Sequence, residues 1–361
     1  MATDYVSHLA KDAGLTNIEI AVLDQAGVRT DEDVHSLTEY FPSIVDAGFR
    51  LNVVSNAVAQ QISQSYLAVA NATSTQPPQI GLGANPPPGS PISLNSAVGL
   101  PPPPPFTPPP TAPANSIDLR LSPWPVRDQG QRGTCVAFGT TAAVEKQQAS
   151  EAPNPDYSEQ FLYWAIKNHS SDPNKTKDGT WLQFSRDMLM SDGICHESFH
   201  PYVGTVVSPI SGPPPSTSAI ADAASHKFTP TTYIRRPSGA AALVWQLLGH
   251  GRLVAISLPV FRDPAVPNGP INWATPVGWA YGRVLNPPIR SVVVGGHCVC
   301  VTGFVPDTLE PGGGYFIIRN SWGTQWANLA PAAGSSHSPE QGYGEISATY
   351  LDMYCWELLQ I

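Results

Sequence analysis

Charge is scarce in this chain of 361 residues: 13% of positions are Asp, Glu, Lys or Arg, roughly half the share usual in globular proteins. Basic residues are the scarcer kind, 19 against 28 acidic, giving a formal charge of −9. No basic run exists that could track a phosphate backbone, so nucleic acid is not an expected partner. Long apolar runs are missing too. Nothing approaches the ~18 consecutive apolar residues of a membrane span, and none is expected. The start, Met1-Ala2-Thr3-Asp4, has neither the basic residues nor the apolar stretch of a classical export signal. Cysteine is limited to Cys135, Cys195, Cys298, Cys300 and Cys355, an odd number without CxxC spacing. A zinc site or dense disulfide framework is therefore not expected. The pattern fits a reducing compartment, cytoplasmic or reached without a classical signal, with the cysteines mostly serving as small buried apolar groups.

What fills the space left by charge is 39 prolines and 30 glycines. No charged residue occurs between Arg50 and Asp118, and 15 of the 38 positions from Gln76 to Pro113 are proline. Prolines cannot donate backbone hydrogen bonds and favour extended polyproline II, so residues 76–116 read as a linker. Two sharper readings stand beside the spacer: a ligand for a proline-binding module, or a strip lying across the neighbouring domain. Residues 1–75 read as a small all-α unit. Ile18 to Leu23 lead to a stop at Gly27, and Thr30-Asp31-Glu32-Asp33 forms an N-cap box before Val34, Leu37 and Tyr40. Its candidate roles are targeting, oligomerisation or inhibition, each implying a protein partner.

From Asp118 onward the texture is mixed. Leu253 to Val260, Val299 to Val305 and Tyr315 to Ile318 suit buried strands, and Thr140 to Gln148 suits a helix. Just before that helix, Asp128-Gln129-Gly130-Gln131-Arg132-Gly133-Thr134-Cys135 sets a cysteine after a Gly-rich turn. A thiol at a helix N-terminus meets free N–H groups and the positive end of the dipole, which favours the thiolate. Such a nucleophile needs a base, and the base needs an orienting group. Gly295-Gly296-His297 opens one apolar strand and Asn320-Ser321-Trp322-Gly323 follows another.

In this order of Cys, His and Asn the chain resembles the papain-like cysteine peptidases, over about Ile117 to Ile361. Tyr157-Ser158-Glu159-Gln160, Gly193-Ile194 and Pro201-Tyr202-Val203-Gly204 resemble further family stretches. The resemblance implies an α+β fold of two lobes over 117–361, one helical with Cys135 and one β-barrel-like with His297 and Asn320. It implies hydrolysis of polypeptide substrates through an acyl-enzyme thioester, as an endopeptidase, with no metal and no organic cofactor. Cys135 is then the nucleophile, His297 its proton partner and Asn320 the orienter of His297. Gln129 supplies an oxyanion donor, and Trp322 shields the His297–Asn320 bond. Alignment further suggests Gly179, Ser257, Gly296 and Cys298 around the substrate, although Cys298 and Cys300 also read as core packing.

Departures from the family are local. Arg132 stands where many members have a disulfide cysteine, Val136 where plant and animal enzymes have tryptophan, and polar residues are inserted near 168–177. A second insertion, 327–341, is rich in Ala, Pro, Ser and Gly and reads as a surface loop carrying His337. Asp128 reads as a turn residue. Two other function classes remain open at this point: an acyl transferase or ligase using the same residues, and a catalytically quiet interaction protein.

Overall fold

Eleven of the 14 residues of helix α1 (Cys135–Gln148) are buried, because its small side chains let neighbours approach on every side. Gly139 marks the closest approach: a Cβ there would lie 2.8 Å from the Cys298 sulfur and 3.3 Å from the Val299 carbonyl. The helix therefore lies directly on a strand, and only glycine allows that spacing. In the computed structural model the described residues are 80–96, 116–121, 124–149, 155–205, 207–262, 264, 271–274, 279, 282–284, 286–287, 291–306, 312–328 and 340–361. The unit expected over 1–75, and most of the 327–341 insertion with His337, lie outside them.

Around α1 pack α2 (Glu159–His169) and α3 (Leu182–Ser191), followed by a single 3₁₀ turn (Glu197–Phe199) and α4 (Thr217–Ala224). Ser158 caps α2 by accepting the Phe161 N–H at 2.9 Å, the role that the Ser-Glu-Gln sequence suggests. Phe161, Leu162 and Ile166 of α2 are buried, each worth ~1.5–3 kcal/mol relative to exposure. These elements make the helical lobe.

The other lobe is a sheet whose strands run β2 (Thr232–Arg235), β8 (Glu357–Gln360), β3 (Val254–Arg262), β5 (Val292–Pro306), β6 (Gly314–Arg319), β7 (Tyr343–Ser347) and β4 (Arg283–Val284), with β1 (Ile117–Asp118) on β5. Pairing among the described strands is antiparallel except for β4 with β7. Helices α5 (Ala240–Gly249) and α6 (Ala348–Tyr354) flank it. The core strand β5 is buried from Gly296 to Val305 because it carries α1 on its face and strands at both edges. The result is the two-lobed α+β arrangement expected from the sequence. No helix among the described residues is long and apolar enough to cross a membrane.

All five cysteines are free and buried. Where the family resemblance puts a disulfide cysteine, the Arg132 guanidinium instead donates to Gln160 Oε1 and the Val203 carbonyl, each at 2.7 Å, and to the Ile210 carbonyl at 3.1 Å. It lies over the rings of Tyr163 and Tyr202. One fully buried cation thus ties the turn before α1 to α2 and to two loops.

Candidate functional site

The turn that presents Cys135 is fixed from several directions. Asp128 Oδ1 accepts the Gly130 N–H at 2.7 Å, a turn bond as its sequence context suggests. Tyr202 Oη donates to the Gln129 carbonyl at 2.9 Å and is 2.6 Å from Thr134 Oγ1. Gln129 pairs with Ser321 through both backbone and side chain: its N–H donates to the Ser321 carbonyl at 2.8 Å, and its Oε1 accepts from Ser321 Oγ at 2.6 Å. The Gln129 amide group can therefore point in one way only, with Nε2 toward the cleft. Cys135 follows as the first residue of α1.

From the sheet lobe, His297 in β5 hydrogen-bonds through Nε2 to Asn320 Oδ1 at 2.7 Å. The same oxygen accepts the Ser321 N–H at 2.8 Å. The Trp322 ring lies over His297 with centroids 4.5 Å apart and planes 30° apart. Trp273, whose ring meets the imidazole edge-on at 5.2 Å, closes another side. The sequence reading did not single out Trp273; it sits beyond β3 with no motif around it, and only the return of the chain brings it here. His297 Nδ1 has no hydrogen-bond partner among the described residues. A buried ring with one nitrogen fixed and the other free is an imidazole aimed but not engaged.

What covers this site is the chain itself. Residues 80–96, counted from sequence within the linker 76–116, lie in the cleft, which is the strip reading of that segment. Gly81 N–H donates to the Gly130 carbonyl, and the Gly81 carbonyl accepts from Gln129 Nε2, both at 3.0 Å. Ala84 N–H donates to the Gly296 carbonyl at 3.0 Å on the sheet side. On the helical side the Thr180 N–H donates to the Gly83 carbonyl and its carbonyl accepts from the Asn85 N–H, at 2.8 and 2.9 Å, in parallel sense. Further along, Trp181 Nε1 donates to the Pro86 carbonyl and Trp356 Nε1 to the Ile92 carbonyl, both at 2.9 Å. A Cβ on Gly81 or Gly83 would lie 2.0 Å from the carbonyl oxygen of Arg132 or Gly133, so these glycines are what permits the fit.

The cover changes the electrostatics that the sequence suggests. Burial pushes the Cys135 thiol up to about 12, and the backbone amides of Cys298, Gly83, Val136 and Ala84 bring it only part of the way back. The expected thiolate at the helix N-terminus is therefore corrected to a neutral thiol, because desolvation outweighs the helix dipole here. Burial likewise brings His297 down to about 4 against the opposing pull of Asn320. Both groups are neutral near pH 7.

A profile described as papain family cysteine protease matches residues 113–256. Over that stretch the chain is similar to this family. Cathepsin J of Rattus norvegicus is 28% identical over 204 residues, 56% of this chain and 54% of that protein. Cathepsin K of Gallus gallus is 26% identical over 220 residues, 60% and 57% of the two. The chain thus spans little more than half the length of these curated relatives. Xylellain, a cysteine protease from Xylella fastidiosa, shares the fold with a TM-score of 0.54 at 22% identity, covering 79% of this chain and 97% of that one.

The remaining residues suggested by alignment divide. Gly296 lies against the cleft segment, where a Cβ would meet the Ala84 carbonyl at 2.2 Å. Gly179, at φ +82°, backs the Gly83 carbonyl, while its neighbour Thr180 makes the backbone bonds. Ser257 and Cys298 lie beneath the covered site, where the Cys298 backbone amide reaches the Cys135 sulfur. Ser257 is buried, opposite Cys298 and facing Glu357; Cys298 packs its sulfur on Gly139 of α1. The cleft wall rests on the polar insertion. There Lys167 Nζ donates to Asp172 Oδ2 at 2.9 Å, the Asn174 carbonyl at 3.0 Å and the Gly179 carbonyl at 2.5 Å.

Proposed function

We propose that this chain is a cysteine endopeptidase kept latent by its own residues 80–96. The observation that carries the reading is the His297 imidazole, fixed by Asn320 under Trp322 with its other nitrogen free, in a domain whose other lobe offers Cys135 at a helix N-terminus. Once the cleft is open, Cys135 gives its proton to His297 and attacks a peptide carbonyl, forming a carbon–sulfur bond. The oxygen that becomes negative is met by Gln129 Nε2, a donor of the kind whose loss costs ~3 kcal/mol of transition-state stabilisation. The C–N bond breaks as His297 returns the proton to the leaving amine, and water then releases the acid from the thioester. Asn320 keeps the imidazole turned toward this exchange, and Trp322 and Trp273 keep water from competing for it.

An internal stretch of chain, with residues continuing on both sides, lies through the cleft; this supports cleavage within chains rather than at their ends. Substrate and endopeptidase action are tested together. The full-length protein, wild type and Cys135→Ala, is incubated with a thiol-directed epoxysuccinyl inhibitor and then with an internally quenched peptide. The reading expects one adduct confined to wild type and hydrolytic products of an internal bond. Products carrying the mass of an added amine would mean acyl transfer, and no adduct under any uncovering condition would mean an interaction protein.

A further inference from the structure

On the outer side of the helical lobe, His196, Asp222 and His226 bring three donor atoms within 4.8 Å of one another. His196 follows Cys195 at the start of the 3₁₀ turn, Asp222 lies in α4, and His226 comes two residues after that helix. Asp222 Oδ2 is 3.0 Å from His196 Nδ1 and 3.6 Å from His226 Nδ1. A zinc ion bonded at ~2.0–2.1 Å to tetrahedral N and O ligands needs donors about 3.3 Å apart. The two observed separations bracket that value.

The rings are held rather than loose. Tyr157 stacks on His196 at 5.0 Å and 23°, and meets His226 at 5.6 Å, while the two imidazoles meet edge to face at 4.6 Å. The carboxylate is aimed by the His196 N–H, which donates to Oδ2 at 2.8 Å. The Ile194 N–H donates to the His226 carbonyl at 3.0 Å, tying the two chain segments together. All three side chains are partly exposed, which leaves room for water to complete the shell.

We infer that His196, Asp222 and His226 form a binding site for a zinc-class divalent transition metal, with two imidazole nitrogens and one carboxylate from the protein and water in the remaining position. This donor set suits zinc, nickel or cupric copper and is too nitrogen-rich for calcium or magnesium. Binding takes both rings as Nε2–H tautomers, so that each Nδ1 lone pair faces the metal. His226 gives up its contact with the Asp222 carbonyl, which stands at 2.8 Å, and the carbonyl keeps the Ser225 N–H at 3.0 Å. No electron transfer and no bond cleavage are involved. The site would clamp α4 to the segment 194–200, just upstream of Tyr202, which holds the Gln129 carbonyl. In a domain without disulfides this is a cross-link by other means.

The test uses the full-length Cys135→Ala protein, so that the nucleophile cannot compete for metal. Cobalt(II) is titrated in and followed by its visible d–d bands, with zinc affinity read by displacement of a chromophoric chelator. The proposal expects one equivalent bound at micromolar metal or below, tetrahedral band intensity without a thiolate charge-transfer band, and a raised melting temperature. It further expects affinity to fall at least about tenfold, the minimum loss typical when a metal site is perturbed, in both His196→Ala and His226→Ala. His226 is the safer variant because it lies beyond the end of its helix. No binding, a thiolate band, or unchanged affinity in a folded His226→Ala protein would overturn the site.

Discussion

The side-chain amide of Gln129 donates to the carbonyl of Gly81, 48 residues upstream, at 3.0 Å. The donor that the proposed chemistry needs for a substrate is thus spent on the chain's own backbone, and the neighbouring glycine shows how to free it. A methyl group on Gly83 would sit 2.0 Å from the Gly133 carbonyl oxygen, in contact with backbone that cannot step aside. Gly83→Ala should therefore lift the segment. Labelling of Cys135 by the epoxysuccinyl inhibitor is expected to speed up at least about tenfold, the factor that ~1.4 kcal/mol of lost closure gives. Equal labelling rates in variant and wild type would show that the segment does not guard the thiol in solution.

The cover is also expected to respond to acid. His297 is held down to about 4 while buried, against an ordinary value of 6.5. A group with a depressed value in the closed state favours closure above its ordinary value and loses that contribution as pH falls toward the depressed one. Between pH 6.5 and 4 the open state takes up the proton first. At pH 5.5 closure should be weakened about tenfold relative to pH 7.5. The thiol works at the other end: raised from 9.0 to about 12, it weakens closure only as pH climbs above 9. Hydrogen exchange at Ala84 and Asn85, corrected for intrinsic rates and measured on Cys135→Ala and on His297→Gln, checks the acid limb. Acid opening that persists undiminished in His297→Gln would assign the effect elsewhere.

Much of this site is legible in the sequence because its parts are local. The turn before Cys135, the His297 strand and the Asn320-Ser321-Trp322 turn each carry their geometry in a few adjacent residues, and Ser158 announces the start of α2 in the same way. What is not legible is whatever depends on which distant segment comes back to rest there. Trp273 has no motif because its role comes from packing on His297. Residues 80–85, Ile-Gly-Leu-Gly-Ala-Asn, look like linker because small residues and flanking prolines are what a flexible spacer also uses. Their one local signal is the paired glycines at 81 and 83, which permit close backbone approach. Arg132 reads as a departure from the family, and only three-dimensional packing reveals that it replaces a cross-link with hydrogen bonds to Gln160, Val203 and Ile210.

Orientation of the imidazole gives a sharper test of the proposed chemistry than loss of the thiol does. In Asn320→Ala the His297 Nε2–H loses its acceptor inside the protein, and a bond to a group that becomes charged is worth ~1.5–3 kcal/mol. Measured in the uncovered Gly83→Ala background, kcat should drop roughly tenfold to hundredfold with KM nearly unchanged. A change confined to KM would make Asn320 a substrate contact instead.

The cleft wall is supported by a charge that cannot be stranded. Lys167 and Asp172 side chains are 1% and 0% exposed, and Asp172 Oδ2 also accepts from Thr180 Oγ1 at 2.8 Å. Burial lowers the Lys167 value and Asp172 opposes that drop, and Nζ also donates to the Gly179 carbonyl. Asp172→Ala removes the counter-charge and leaves a cation with only carbonyl partners. Breaking a buried pair in this way costs ~3–5 kcal/mol, which urea unfolding would register as a lower midpoint with an unchanged slope. The double variant Lys167→Met, Asp172→Leu should recover part of that loss, since it strands no charge but still leaves Thr180 Oγ1 and the Asn174 and Gly179 carbonyls without these partners. Thr180 offers its backbone to both Gly83 and Asn85, so the single variant should also loosen the segment over Cys135. A loss below about 1 kcal/mol, the range of an exposed ion pair, would mean that water already reaches the lysine and that the wall stands without this charge.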